Sequence, residues 1–256
     1  MKKFELTGEF VTNISGKKLF RIRALVAFGN VEAGELGGYV EKEENLNDAG
    51  DAWVFDNAWV SGNARVFGNA WVSGNARVSG NAWVSGNARV SGNARVFGDA
   101  WVSDNARVSD NARVSDNARV SDDAWVSDNA WVSDDARVSG DAWVYGDARV
   151  SGDAWVYGDA RVSGDARVSG DARVSGDARV SGDADILQIT GLGTVHRTTT
   201  AFRTPDGVRI VCGCFYGDLD AFWAQVKNTR YGKVRREYLK FAELVEIYFG
   251  EDKEDD

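Results

Sequence analysis

The chain has 256 residues, a formal net charge of −9, one His, one Pro, two Cys and ten Trp. No apolar run approaches the ~18–20 residues of a membrane-spanning helix, and a glutamate interrupts the N-terminal Met-Lys-Lys-Phe-Glu-Leu where a secretory signal would be apolar. Two cysteines in so long a chain argue against a disulfide framework and for the reducing cytoplasm, while a single His removes most His-based metal sites.

Residues 1–51 read as an N-terminal β cap. Strands are expected at 4–6 and 19–28, with a Ser15-Gly16-Lys17-Lys18 turn before the second. From residue 52 the chain becomes a hexapeptide. Twenty-two consecutive Ala-x-Val units follow without slippage, each separated by a three-residue spacer. Ala and Val never vary. The x position is Trp nine times and Arg thirteen times. The spacer is usually Ser-Gly-Asn, Ser-Asp-Asn or Ser-Gly-Asp.

Strand geometry assigns each position. In an extended triplet, Ala and Val share one face and x points the other way. Thirteen Arg cannot be buried without partners, so Ala and Val face inward. The spacer is turn chemistry, because Gly accepts positive φ freely and Asn and Asp tolerate it. A six-residue period does not match 3.6, which excludes a helix. Short strands that turn a corner every six residues stack as a parallel β-helix with a narrow, dry interior.

The Ala-x-Val repeat, an aliphatic Val with a small inward Ala, resembles the left-handed β-helix of the hexapeptide-repeat superfamily. That resemblance implies three hexads per coil, so that residues eighteen apart share a face. One face carries Trp53, Trp71, Arg89, Arg107, Trp125, Trp143, Arg161 and Arg179. A second carries Trp59, Arg77, Arg95, Arg113, Trp131, Arg149 and Arg167. The third carries Arg65, Trp83, Trp101, Arg119, Arg137, Trp155 and Arg173. Adjacent rungs invite Trp–Trp and Arg–Trp contacts. These ladders either stabilise the rod's surface or form a flat docking surface for a partner or another copy, and the first face is the candidate binding set. At the corners, Asn gives way to Asp along the chain, so Asp147, Asp165 and Asp183 would stack. Oxygen ligands suit Ca²⁺, but the period differs from that of calcium-binding β-helices and Arg is at hand to neutralise the carboxylates. No metal or cofactor is expected.

The same resemblance implies about seven coils and the left hand. Gly34-Glu35-Leu36-Gly37-Gly38-Tyr39-Val40-Glu41, running through Glu43-Glu44-Asn45-Leu46 into the first repeats, resembles uncharacterised hexapeptide-repeat proteins of bacteria and their phages or prophages. Some of these carry an acetyltransferase label. The resemblance spans about residues 20–184 and implies a phage- or prophage-encoded protein in the bacterial host cytoplasm.

Residues 185–250 read as a small α+β domain, and 251–256 as an acidic, disordered tail. Strands are expected at 186–190, 194–204 and 208–215, with a Thr204-Pro205-Asp206-Gly207 turn between the last two. Asp218 is placed to cap a helix whose apolar face is Leu219, Phe222, Trp223 and Val226. A second helix turns Val234, Tyr238, Phe241, Val245 and Tyr248 inward. This β3α2 module resembles a domain that follows such repeats in phage-encoded proteins.

Its motifs are sparse. Cys212-Gly213-Cys214 would set both thiols on one strand face, with His196 as the only nitrogen donor for zinc. A Cys212–His196 pair would be the other option. Lys227, Arg230, Lys233, Arg235, Arg236 and Lys240 form a basic run, but the surrounding chain is acidic, which argues against nucleic acid. The leading expectation is therefore a non-enzymatic scaffold or interaction protein that presents its C-terminal domain and self-associates through Trp/Arg faces. The alternatives are a protein that sequesters a partner or small ligand, and a hexapeptide-type acyltransferase. The acyltransferase reading lacks a His or a loop insertion within the repeats. No membrane partner is expected.

Overall fold

The computed structural model describes residues 2–250; the stretch read as a disordered acidic tail lies outside the described residues. β1 (Phe4–Thr12), β2 (Lys18–Ala24) and β3 (Leu36–Val40) pair antiparallel in sequence order. β1 is longer than the sequence suggests because it follows β2 to the end of their hairpin. Twenty-two two-residue strands follow, β4 (Trp53–Val54) to β25 (Arg179–Val180), one per hexad. Each pairs in parallel with the strand three further on, giving three sheets that wrap one core. Every repeat Ala and Val is at most 1% exposed.

The parallel stack begins before the first hexad. β3 pairs with β5 (Trp59–Val60) through Tyr39↔Trp59 and Val40↔Val60, and Leu46 bridges Val66. With these the solenoid completes about eight turns rather than seven. Gly37 and Gly38 permit the approach. A Cβ on Gly38 would lie 2.6 Å from the Ala58 carbonyl, and one on Gly37 would lie 2.8 Å from the Trp53 ring.

The backbone ladder is polar, and the two ends are closed in opposite ways. Outside the strand pairs, the bonds between coils run one way. N–H groups of the x position and of the first and third spacer positions donate to carbonyls of the next coil, as Arg89 N does to Ala106 O at 2.9 Å, while the Ala N–H turns back within its own corner, as Ala88 N does to Ser85 O at 3.2 Å. Carbonyls at the N-terminal end and N–H groups at the C-terminal end are therefore left over, and buried groups of this kind need partners. The N-terminal cap supplies donors. The buried Lys3 Nζ reaches Gly50 O at 3.1 Å and Ala52 O at 2.8 Å. Asn45 Nδ2 reaches Gly62 O at 3.1 Å and Ala64 O at 2.8 Å. The C-terminal end supplies acceptors. Asp183 Oδ1 accepts from Arg167 N at 3.1 Å, Thr200 Oγ1 from Arg173 N at 3.4 Å, and Asp185 Oδ2 from Ser181 N at 2.8 Å. Burial lowers the Lys3 pKa, with Asp48 and Asp51 opposing the shift.

The chain then forms an antiparallel sheet of β26 (Ile186–Leu192), β27 (Arg197–Thr204), β28 (Gly207–Cys212) and β29 (Phe215–Gly217), followed by α1 (Leu219–Thr229) and α2 (Gly232–Phe249). Asp218 caps α1, its Oδ1 accepting from Ala221 N at 2.8 Å. The expected third strand is two strands, because Gly213 turns the chain at φ +63°. Tyr248, expected inward, is exposed; its hydroxyl donates to Asp183 O at 2.8 Å, and Phe249 is buried instead. The sheet has two apolar faces. Ile186, Phe202 and Val211 continue the Ala/Val core, while Ala201, Ile210 and Cys212 meet the helices. The module is thus the solenoid's lid as well as its neighbour. Among the described residues no helix is long and apolar enough to cross a membrane.

Candidate functional site: the Trp and Arg faces

The three outward ladders form with the spacing of eighteen. The first face is an eight-stranded sheet in which Trp71 registers on Arg89, Arg107 on Trp125 and Trp143 on Arg161. Trp53 is the exception to its exposure. Phe4 and Phe28 of the cap cover it edge-on at 6.3 and 5.3 Å, it is 0% exposed, and its Nε1 has no hydrogen-bond partner. A candidate contact residue is therefore a core residue, because the cap folds over the first rung of the sheet. The other seven stay at the surface, the four arginines exposed and Trp143 41% exposed.

Aromatic and cationic contacts run along the ladders. The Arg89 and Arg161 guanidinium groups lie 5.0 and 5.1 Å from the Trp71 and Trp143 ring centroids, and Arg77 lies 4.6 Å from Trp59. Trp83 and Trp101 stack at 5.1 Å with an interplanar angle of 3°. Trp125 meets Trp143 edge-on at 5.3 Å and donates from Nε1 to Ser109 Oγ at 3.1 Å.

The expected neutralisation of corner Asp by Arg does not form. Among the described residues no repeat arginine makes an ion pair; the salt bridges all lie in the cap, at the Arg203–Asp185 contact and on α2. Arginines leave the flat strands, whereas aspartates sit at the corners and turn to groups there. Asp110 Oδ2 accepts from Ser109 Oγ at 2.8 Å, and Asp128 Oδ2 accepts from Gly146 N at 3.1 Å. Apart from Arg173, whose Nη1 donates to Gly213 O at 3.4 Å, the repeat guanidinium groups of the described residues make no hydrogen bond within the chain.

Asn side chains form a ladder at each corner. Asn69 donates to Asn87 at 3.1 Å, Asn87 to Asn105 at 3.0 Å, and Asn105 to Asp123 at 3.0 Å. The other two ladders end on Asp99 and Asp147. Each amide donates upward and accepts from below, and a carboxylate closes the series. Asp147 and Asp183 thus engage Asn129 and the Arg167 N–H, rather than forming a calcium cage with Asp165. Among the described residues no three His, Cys, Asp or Glu side chains draw together as a metal site.

In the C-terminal module the thiols part. Cys212 is buried and accepts from Thr199 Oγ1 at 3.4 Å; Cys214 is exposed beyond the Gly213 turn. The shared strand face expected for them is lost because that turn reverses the chain. Burial, followed by a hydrogen bond to Cys212, pushes the Tyr238 phenol up to about 12. His196 is exposed and lines an open cleft of about 660 Å³ with Arg173, Arg197 and Cys214, away from Cys212's buried side. The basic run is used locally: Lys233 pairs with Glu237 at 3.5 Å, Lys240 pairs with Glu243, and Arg235 donates to the Lys227 and Arg230 carbonyls.

This architecture defines the protein as a β-solenoid. The repeat family described as YdcK Beta solenoid repeat matches in ten segments that tile residues 58–86, 88–104, 106–128 and 130–184. Among solved structures, a Bacillus cereus protein provisionally described as an acetyltransferase is similar at 10% identity, over 75% of this chain and 90% of that one, with a TM-score of 0.25. No curated protein matches the chain.

Proposed function

We propose that the protein is a non-enzymatic scaffold: a rigid β-solenoid whose Trp/Arg sheet makes the contacts with its partner and whose C-terminal module provides a recognition end. The hexapeptide-repeat superfamily, the left-handed coil and the phage or prophage origin implied by the sequence resemblance belong to this reading. The observation that carries it is the set of repeat arginines without ion pairs, held in line beside tryptophans on sheets that a filled core keeps rigid. Aromatic and Arg side chains are the types enriched at contact surfaces. The solenoid interior is stacked Ala and Val and leaves no space for a substrate.

Native mass spectrometry of protein purified gently from its host tests this. The expected result is a homo-oligomer or a protein complex that Trp71→Thr with Trp143→Thr takes apart. A retained coenzyme A mass would overturn the reading in favour of acyl transfer. A bare monomer, with no partner and no response to the substitutions, would overturn it as well.

A further inference from the structure

The order of residues on the eight-stranded face is Trp, Trp, Arg, Arg, Trp, Trp, Arg, Arg from Trp53 to Arg179. Turned end for end, that order becomes its own complement. A two-fold axis between Arg107 and Trp125 sets Arg107 against Trp125, Arg89 against Trp143 and Trp71 against Arg161, each twice. Only the Trp53–Arg179 opposition at the two ends is lost, since the cap covers Trp53. The other faces lack this property. Reversed about their middle rungs, they bring Arg113 against Arg113 and Arg119 against Arg119, and the third face also brings Trp83 against Trp155.

Charge follows the same axis. Residues 57–98 hold four Arg and no acid, whereas residues 99–183 hold nine Arg and 17 Asp. Antiparallel packing lays the acid-free rungs of one copy over the acid-rich rungs of the other. Arg89 then meets a rung flanked by Asp141 and Asp147, and Arg107 meets one flanked by Asp123 and Asp128. Like-with-like parallel packing would do the reverse. We infer that this face pairs with the same face of a second copy, antiparallel, through interleaved Trp and Arg side chains. The inference rests on the scaffold reading and names its partner. An isologous two-fold contact of this kind closes at two subunits. The face is roughly 35 Å by ~15 Å from strand spacing, so the pair buries about 1,000 Å² in total, near the lower bound for a specific interface.

The test is sedimentation of the full chain across concentration at low and high salt. The expected result is a dimer that weakens as salt rises. Trp143→Arg places Arg opposite Arg89 twice and is expected to weaken the dimer by roughly tenfold or more. Arg is tolerated at thirteen equivalent positions, so folding is not at issue. Adding Arg89→Trp restores every opposition and is expected to restore the dimer; surface decoration predicts no such rescue. Trp83→Arg, on the third face, should leave the mass unchanged. A trimer, or an unrescued double variant, overturns the inference. So does a monomer, but one whose heterologous partner is lost with Trp143→Arg would leave the scaffold reading standing. A monomer indifferent to the face overturns both.

Discussion

Between residues 57 and 98 the coils carry Gly and Asn at their corners and no acid; between 99 and 183 they carry 17 Asp. The strands behind those corners are the same two-residue steps, and the Ala and Val beneath them are equally buried. In the first region the amide ladders use each donor and acceptor in turn. Beyond Asp99, Asp123 and Asp147, carboxylates succeed one another with few donors between them. A middle band goes further: Asp104, Asp110, Asp116, Asp122, Asp128 and Asp134 hold positive φ where neighbouring coils use Gly. Asp is one of the few non-Gly residues that adopt this region as single residues, so the corner keeps its shape. The comparison separates two jobs. The core sets the coil, and the corners set the electrostatics without altering it.

The most severe way to break that comparison is to cut the core in each half. Val78→Ala and Val156→Ala should each destabilise by about 2–3 kcal/mol, since each removes buried methyl groups from a close-packed stack. Urea unfolding measures both, and a difference of more than ~1 kcal/mol would mean that the corners do help to hold the core. The solenoid's ends sharpen the point. Asn45→Ala strips partners from two buried carbonyls and should cost about 2 kcal/mol. Thr200→Val removes one acceptor at 3.4 Å from the other end and should cost about 1 kcal/mol or less. Equal losses would show that ladder polarity does not govern the ends.

Much of this was legible in the repeat. Ala-x-Val with a Gly or Asp spacer determines strand, corner and inward face, and the spacing of eighteen determines which outward residues stack. The period alone carries neither the three hexads per coil, and hence the spacing of eighteen, nor the hand; both came from resemblance. What escaped was tertiary. Nothing in the repeats marks Trp53 as different from Trp71; the difference is Phe4 and Phe28, more than twenty residues upstream. Nothing in residues 1–51 sets Lys3 and Asn45 apart from the other polar residues there; their role comes from the carbonyls that the ladder leaves at that end. Alternation in Cys212-Gly213-Cys214 predicts a continuous strand, but the central Gly213 adopts positive φ and turns the chain. Net balance suggested Arg–Asp neutralisation, but a count of charges does not tell a strand from its corner.

The smallest effects exchange the two corner chemistries. Asn87→Asp removes the donor to Asn105 and breaks that ladder in its middle, so it should destabilise by about 1 kcal/mol. Asp141→Asn, further along the same column, supplies a donor toward Asp159, so it should stabilise by about 0.5 kcal/mol. Salt provides the control. Raising ionic strength from about 0.1 to about 1 M shortens the screening length from ~10 to ~3 Å. That change should strengthen hydrogen-exchange protection over residues 139–180 by a few tenths of a kcal/mol and leave residues 57–98 nearly unmoved. In Asp141→Asn the salt response should shrink, because one carboxylate has left the column. Equal responses in both regions would mean that their different charge has no energetic consequence. The corner Asp would then be distinguished from Asn only by what it offers a partner.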